Sequence, residues 1–202
     1  MVKGFSEREK EIIRNKLMEV GRERFGSQGL KKTSIRELTD AVGIAQGSFY
    51  LFFHSKEELF FRILEIEEAS IQQKLQSTTL EPVTAESFKQ WILKALTLAE
   101  NNPIVRRLYV DGEYELMLRK LQQEVIEQHI QKDADALLPL ISSWQQQGLI
   151  LAKKPEMIAS VIRSLFLLTL HKKEIGEDIY DETIDLIVEL IASGLVTKKG
   201  KA

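Results

Sequence analysis

Residues Thr33–Lys56 read TSIRELTDAVGIAQGSFYLFFHSK. Thr33 suits a helix N-cap, with Arg36 at N3 and Glu37 just behind, a cap signal without the full capping box. A helix is expected over residues 34–41, with Ile35, Leu38 and Val42 turned inward. Gly43 breaks it, because glycine suits a turn position of positive φ. A second short helix is expected from Ala45 to about Phe52. Ile35, Leu38, Val42, Ile44 and Phe49 would pack the two helices on each other and on a preceding one. Two short helices across a tight turn make a helix-turn-helix, whose second helix can enter the major groove of DNA. Gly43 alone would equally suit a plain helix stop between two amphipathic helices; the whole pattern carries the reading.

The exposed side of the second helix fits that use. Ala45, Gln46, Gly47 and Ser48 are small or hydrogen-bonding, so base edges can come close. Gln46 can pair bidentately with adenine, and Ser48 can reach a base or a phosphate. Tyr50, His54 and Lys56 follow at positions suited to phosphate contacts. Thr33 and Ser34 add hydroxyls at a helix N-terminus, where backbone N–H groups also attract phosphate.

Outward from this stretch the chain reads as helix throughout. Upstream, Ile12/Ile13, Leu17, Val20/Gly21 and Phe25 form a stripe over residues 7–27, stopped by Gly29. Downstream, Ser55 caps a helix whose first turn holds Glu57 and Glu58, and which runs to about Leu75. A connector with Pro82 follows, then helices at about 84–101, 103–119, 121–147, 155–172 and 178–196. Pro139 predicts a kink or an early break. The expected fold is all-α: a three-helix DNA-binding head, residues 1–54, and a helical body for ligand binding and dimerisation, residues 55–202.

Composition sets limits. The chain is 44% hydrophobic and 29% charged, with four prolines and eleven glycines, so a sizeable core of long helices can form. It holds no cysteine, which excludes disulfides, thiolate metal sites and thiol nucleophiles. The N-terminus lacks an apolar signal core, and the longest apolar run, Leu165–Leu170, is too short to span a bilayer. A cytoplasmic address and no membrane partner are expected. Net charge is −2. Residues 1–60 carry eleven Lys/Arg against nine Asp/Glu, and the remainder seventeen against twenty-one, so a faintly basic head precedes an acidic body.

Phe25, Gly29, Thr33-Ser34-Ile35, Ala41, Gly43, Gly47-Ser48-Phe49-Tyr50, Phe53, Ser55-Lys56 and Leu59 together resemble the pattern of TetR-family transcriptional regulators. The resemblance is strong over residues 10–60 and extends further through the number and lengths of the helices. It implies that Thr33, Ser34, Gln46, Ser48, Tyr50, His54 and Lys56 contact DNA. Two departures stand out. Thr39-Asp40 replaces the usual small residue, and Leu51-Phe52 stands where a second Tyr or a His is frequent, which implies one phosphate contact fewer.

The C-terminal helices speak of assembly. Around Leu165–Leu170 apolar residues surround the helix. In the last helix Ile179, Ile184, Leu186, Ile187, Val188, Leu190, Ile191 and Leu195 span an arc of about 200°. Either the pair is a wholly internal hairpin, or it faces both its own core and a partner; the width favours a partner. The family resemblance implies a homodimer through this pair, helices 155–172 and 178–196, closing a four-helix bundle. Two heads about 34–36 Å apart would read a palindromic operator on double-stranded DNA.

Aromatic and polar residues mix in the central helices, as a small-molecule pocket requires. Trp91, Arg106, Tyr109, Tyr114, Met117, Trp144, Phe166 and His171 are the candidate lining, each of which could equally be ordinary core. Arg106 and Arg107 point to different helix faces, so at most one would hold an anionic ligand. His129 and Asp133 read as a surface pair; no metal site and no cofactor are expected. His54, His129 and His171 lie far apart and no nucleophile motif or phosphate loop is present, so an enzyme is not expected. The expected function is a DNA-binding repressor released from its operator by an unknown small-molecule effector. The alternative is a DNA-binding regulator controlled by a protein partner or by no small molecule.

Overall fold

The computed structural model describes residues 5–77, 80–109 and 112–197. Among the described residues the regular structure is helical, save one antiparallel bridge between Ile150 and Val196. No helix among them is long and apolar enough to cross a membrane. The chain forms two compact units, Met1–Ala69 with Asn102–Gln122, and Ser70–Asn101 with Gln123–Ala202. Packing therefore divides the chain discontinuously, unlike the single expected boundary at residue 54.

In the first unit α1 (Glu7–Lys32) opens on a capping box: the Glu9 N–H donates to Ser6 Oγ and the Ser6 N–H to Glu9 Oε2. Its inward face carries Ile13, Leu17, Phe25 and Leu30. Gly29 was expected to end this helix. It instead bends it, with φ 83° and ψ 169°, and a last turn continues to Lys32.

Helix α2 (Ile35–Val42) corrects the expected cap. Ser34, one residue after Thr33, is the N-cap, and Glu37 lies at N3. The capping box is complete: Ser34 N–H and Oγ both donate to Glu37 Oε2 at 2.8 Å, and the Glu37 N–H donates to Ser34 Oγ. These bonds, from the Ser34 backbone and then its hydroxyl, hold the Glu37 carboxyl below its ordinary value. A carboxyl with a depressed folded pKa stabilises the fold above its unfolded pKa and loses that contribution as pH falls through the folded value. Ser34→Ala is expected to cost about 1 kcal/mol in urea unfolding at neutral pH and to flatten the acid side of the stability profile. An unchanged profile would leave the cap without energetic weight.

Gly43 ends α2 in the left-handed region, φ 82°. The next segment, Gln46–Leu51, is a 3-10 helix where an α-helix was expected. The Ser48 N–H reaches Ala45 O, and the Phe52 N–H reaches Phe49 O. Three-residue spacing places Phe49 and Phe52 one above the other, and both are buried beside Phe53. Leu38 and Phe49 fill the interface of the motif as expected, while Ile35, Val42 and Ile44 stay half-buried. Helix α3 (Lys56–Gln76) starts with the Glu58 N–H on Ser55 Oγ, the expected cap.

The expected helix 103–119 is two, α5 (Pro103–Tyr109) and α6 (Tyr114–Leu118), both packed on α1. Gly112, at φ 75°, lies in the break. In the second unit α4 (Ala85–Asn101) packs on α10 (Tyr180–Leu195), and α7 (Gln123–Gln146) on α8 (Pro155–Thr169), with the short α9 (Lys172–Ile175) between α8 and α10. Helix α7 runs on through Pro139, so the expected early break is absent. Lys89 ties α4 to α10 through Asp185 at 2.8 Å and Glu189 at 3.1 Å.

Candidate nucleic-acid interface

The head is organised around the bend at Gly29. A buried carboxylate, Glu113, accepts the N–H of Leu30 at 2.8 Å and of Lys31 at 3.3 Å. It sits where a side chain at position 29 would be: a Cβ there would lie 2.5 Å from Glu113 Oε1. Arg107 donates to the Ser27 carbonyl at 2.7 Å and to that of Gly26. Lys56 Nζ donates to the carbonyls of Leu30 at 2.6 Å and Thr33 at 2.7 Å. Thr33 Oγ1 donates to the Gly29 carbonyl at 2.7 Å. The backbone polar groups of the turn into α2 are thus satisfied by side chains far apart in sequence.

This arrangement alters two expected roles. Thr33 is 1% exposed and its hydroxyl is spent inside the head, so its side chain does not face outward as expected. Lys56 is half-buried, with its ammonium already on two carbonyls. Glu113 and Arg107 were not expected as parts of the head. Their partners are backbone atoms some eighty residues away, which leave no mark in local sequence.

The other candidates keep their side chains accessible. Ser34, Ala45, Gln46, Gly47, Tyr50 and His54 are exposed, and Ser48 is half-buried. Tyr50 is 56% exposed and packs the edge of its ring on Phe49, 5.6 Å between centroids. The His54 N–H is held by Glu58 Oε2 at 2.7 Å. At Gly47 the φ is not positive and an added Cβ would meet nothing within 4 Å.

The candidate ligand residues are split between the units. In the second, Trp91 and Trp144 meet edge to face at 5.8 Å, and Phe88 touches both, at 6.0 and 5.5 Å. All three are buried. Phe166 on α8 is half-buried and His171 is exposed beside Glu174. In the first unit Met117 is buried and Tyr114 half-buried; burial, with Glu115 nearby, raises the Tyr114 pKa. Arg106 is exposed, and Arg107 is the arginine of the pair that takes partners. The Tyr109 side chain lies outside the described residues, as does that of Asp133.

Helix α10 leaves an apolar stripe uncovered, and α8 leaves two apolar side chains uncovered on a face that also carries Ser160 and Ser164. Met157 and Leu167 lie on α8; Leu186 and Leu190, 55% and 63% exposed, lie on α10, with Ile179 at its N-cap. The opposite side of α10 is buried through Ile184, Val188 and Ala192.

A first unit that presents a helix-turn-helix, in a chain whose described residues are almost wholly helical, defines a fold class rather than a single protein. Residues 17–63 match the family described as bacterial regulatory proteins, tetR family. The HTH-type transcriptional regulator AcrR of Shigella flexneri is 32% identical over 66 residues, 33% of this chain and 31% of that protein. The chain spans about a third of the length of the curated relatives it matches first. The fold extends further. A TetR-family transcriptional regulator from Pectobacterium atrosepticum superposes with a TM-score of 0.73 at 23% identity, covering 96% of this chain and 98% of the other. SmeT, the repressor of a multidrug efflux pump of Stenotrophomonas maltophilia, gives 0.63 at 17% identity, covering 93% and 92%; SmeT has also been solved with triclosan. The family match rests on residues 17–63, and the likeness over the rest of the chain is one of fold.

Proposed function

We propose that this protein is a DNA-binding transcriptional repressor. It acts in the cytoplasm as a homodimer on a palindromic operator and is released by a small molecule. The observation that carries the reading is Gly47. Glycine costs about 0.5–1 kcal/mol in a helix relative to alanine, and among the described residues beyond its chain neighbours nothing lies within 4 Å of the space its side chain would take. The backbone there is open to close approach by a base edge. Gln46 and Ser48 flank it in sequence with hydrogen-bonding groups, and Ser34, Tyr50 and His54 of the same unit are exposed and offer groups for the phosphates.

The uncovered leucines of α10 support the dimer, and the transcriptional repressor KstR2 of Mycolicibacterium smegmatis, 37% identical over 51 residues, 25% of each chain, supports the sign. A small-molecule effector is supported by SmeT, a fold neighbour solved with triclosan. Functionally, residues 1–54 read DNA and the remainder senses and dimerises.

Selection of bound duplexes from random sequence tests this, and a palindrome is expected. Gln46→Ala is expected to change the preferred bases at one position, with a loss of about 1–3 kcal/mol on the parent site. Gly47→Ala is expected to leave thermal stability equal or higher while weakening the selected duplex at least tenfold. A Gly47→Ala protein that binds as tightly as the parent would remove the main support for this surface.

A further inference from the structure

We propose that Leu51 reads a thymine methyl group in the major groove. This rests on the DNA-binding reading above and assigns one base-specific contact within it. Leu51 closes the 3-10 helix and is 67% exposed, the highest value among the described large apolar residues. Its neighbours have places in the core: Phe49, Phe52 and Phe53 are buried. Leu51 has none, and it lies on the element that carries Gln46, Gly47 and Tyr50.

The position is rigid. Arg14 donates to the carbonyl of Phe52, the next residue, at 2.8 Å and lies over the Phe53 ring, 4.7 Å from its centroid. The N–H groups of Phe52 and Phe53 both bond to Phe49 O. An apolar side chain held without freedom of its backbone loses little entropy on contact. In the major groove thymine alone offers an apolar group, its C5-methyl. Leucine can neither donate nor accept a hydrogen bond, so the group it can recognise there is an apolar one.

The test uses the full chain and its selected duplex, with each symmetric pair of thymines replaced in turn by deoxyuracil. Pairing is kept and only the methyl is lost. At one pair the parent protein is expected to lose about fourfold in affinity per half-site, about fifteenfold for both, as for burial of one methyl group. Leu51→Ala is expected to bind the thymine and uracil forms equally there, with the affinity the parent has for uracil. Leu51→Met, which keeps an apolar reach, is expected to retain most of the difference. Unchanged melting of Leu51→Ala establishes that folding is intact. The inference is overturned if no uracil substitution affects the parent, or if Leu51→Ala stays sensitive to the methyl. It is also overturned if Leu51→Ala weakens all duplexes alike, the mark of a sugar contact. A chain that selects no duplex fails before uracil enters, which overturns the DNA-binding reading itself and this contact with it.

Discussion

Gly29→Ala is expected to lower the unfolding free energy by about 3–5 kcal/mol, measured in urea. Two effects add. Backbone at φ 83°, ψ 169° lies in a region that side-chain-bearing residues rarely enter, which costs about 1–3 kcal/mol. The new Cβ would also stand 2.5 Å from Glu113 Oε1, so the buried carboxylate must move and release the N–H groups of Leu30 and Lys31. Glu113→Ala is expected to cost about 1–3 kcal/mol by leaving the Leu30 N–H buried without its acceptor. The double variant separates the two causes. With the carboxylate gone the overlap is gone, so the combined loss is expected to fall short of the sum by about 1–2 kcal/mol. Strict additivity would mean that the backbone conformation alone sets the cost. DNA affinity is expected to drop with stability here, because the turn into α2 starts at this bend.

Joint replacement of Leu186 and Leu190 by glutamate carries the other large effect, on assembly. Both leucines are more than half exposed on α10. A two-fold interface counts each of them twice. Four buried leucines contribute roughly 6 kcal/mol at the low end of the usual range, or about four decades in the dissociation constant. Sedimentation equilibrium at micromolar concentration is expected to give a dimer for the parent and a monomer for the variant. Operator affinity should fall with it, since one head alone reads half a palindrome. A variant of unchanged mass would put the dimer surface elsewhere.

The helix-turn-helix was legible because its signals are local. Gly43 at the turn, Leu38 and Phe49 inward, and the Ser55 cap each follow from residue type and spacing. The exposed set of Ser34, Ala45, Gln46, Gly47, Tyr50 and His54 followed from the same pattern. Thr33 and Lys56 differ from the exposed set for a common reason. Both are polar and sit where a phosphate would suit them, yet the bend at Gly29 leaves carbonyls that need donors, and these two side chains are in reach. Sequence spacing shows which residues can face outward, but not which polar groups the backbone claims first.

The sequence by itself determined the helical class, the family-bearing motif and the exposed polar residues within it, because all three depend on periodicity and on residues within a few positions of one another. Only the tertiary structure decided how the head is held together. Glu113 and Arg107 reach α1 across some eighty residues, Lys56 across more than twenty, and the tightened 3-10 turn that leaves Leu51 outside depends on where three phenylalanines find room. Contacts of that span are set by packing, and packing is a property of the folded chain rather than of any segment within it.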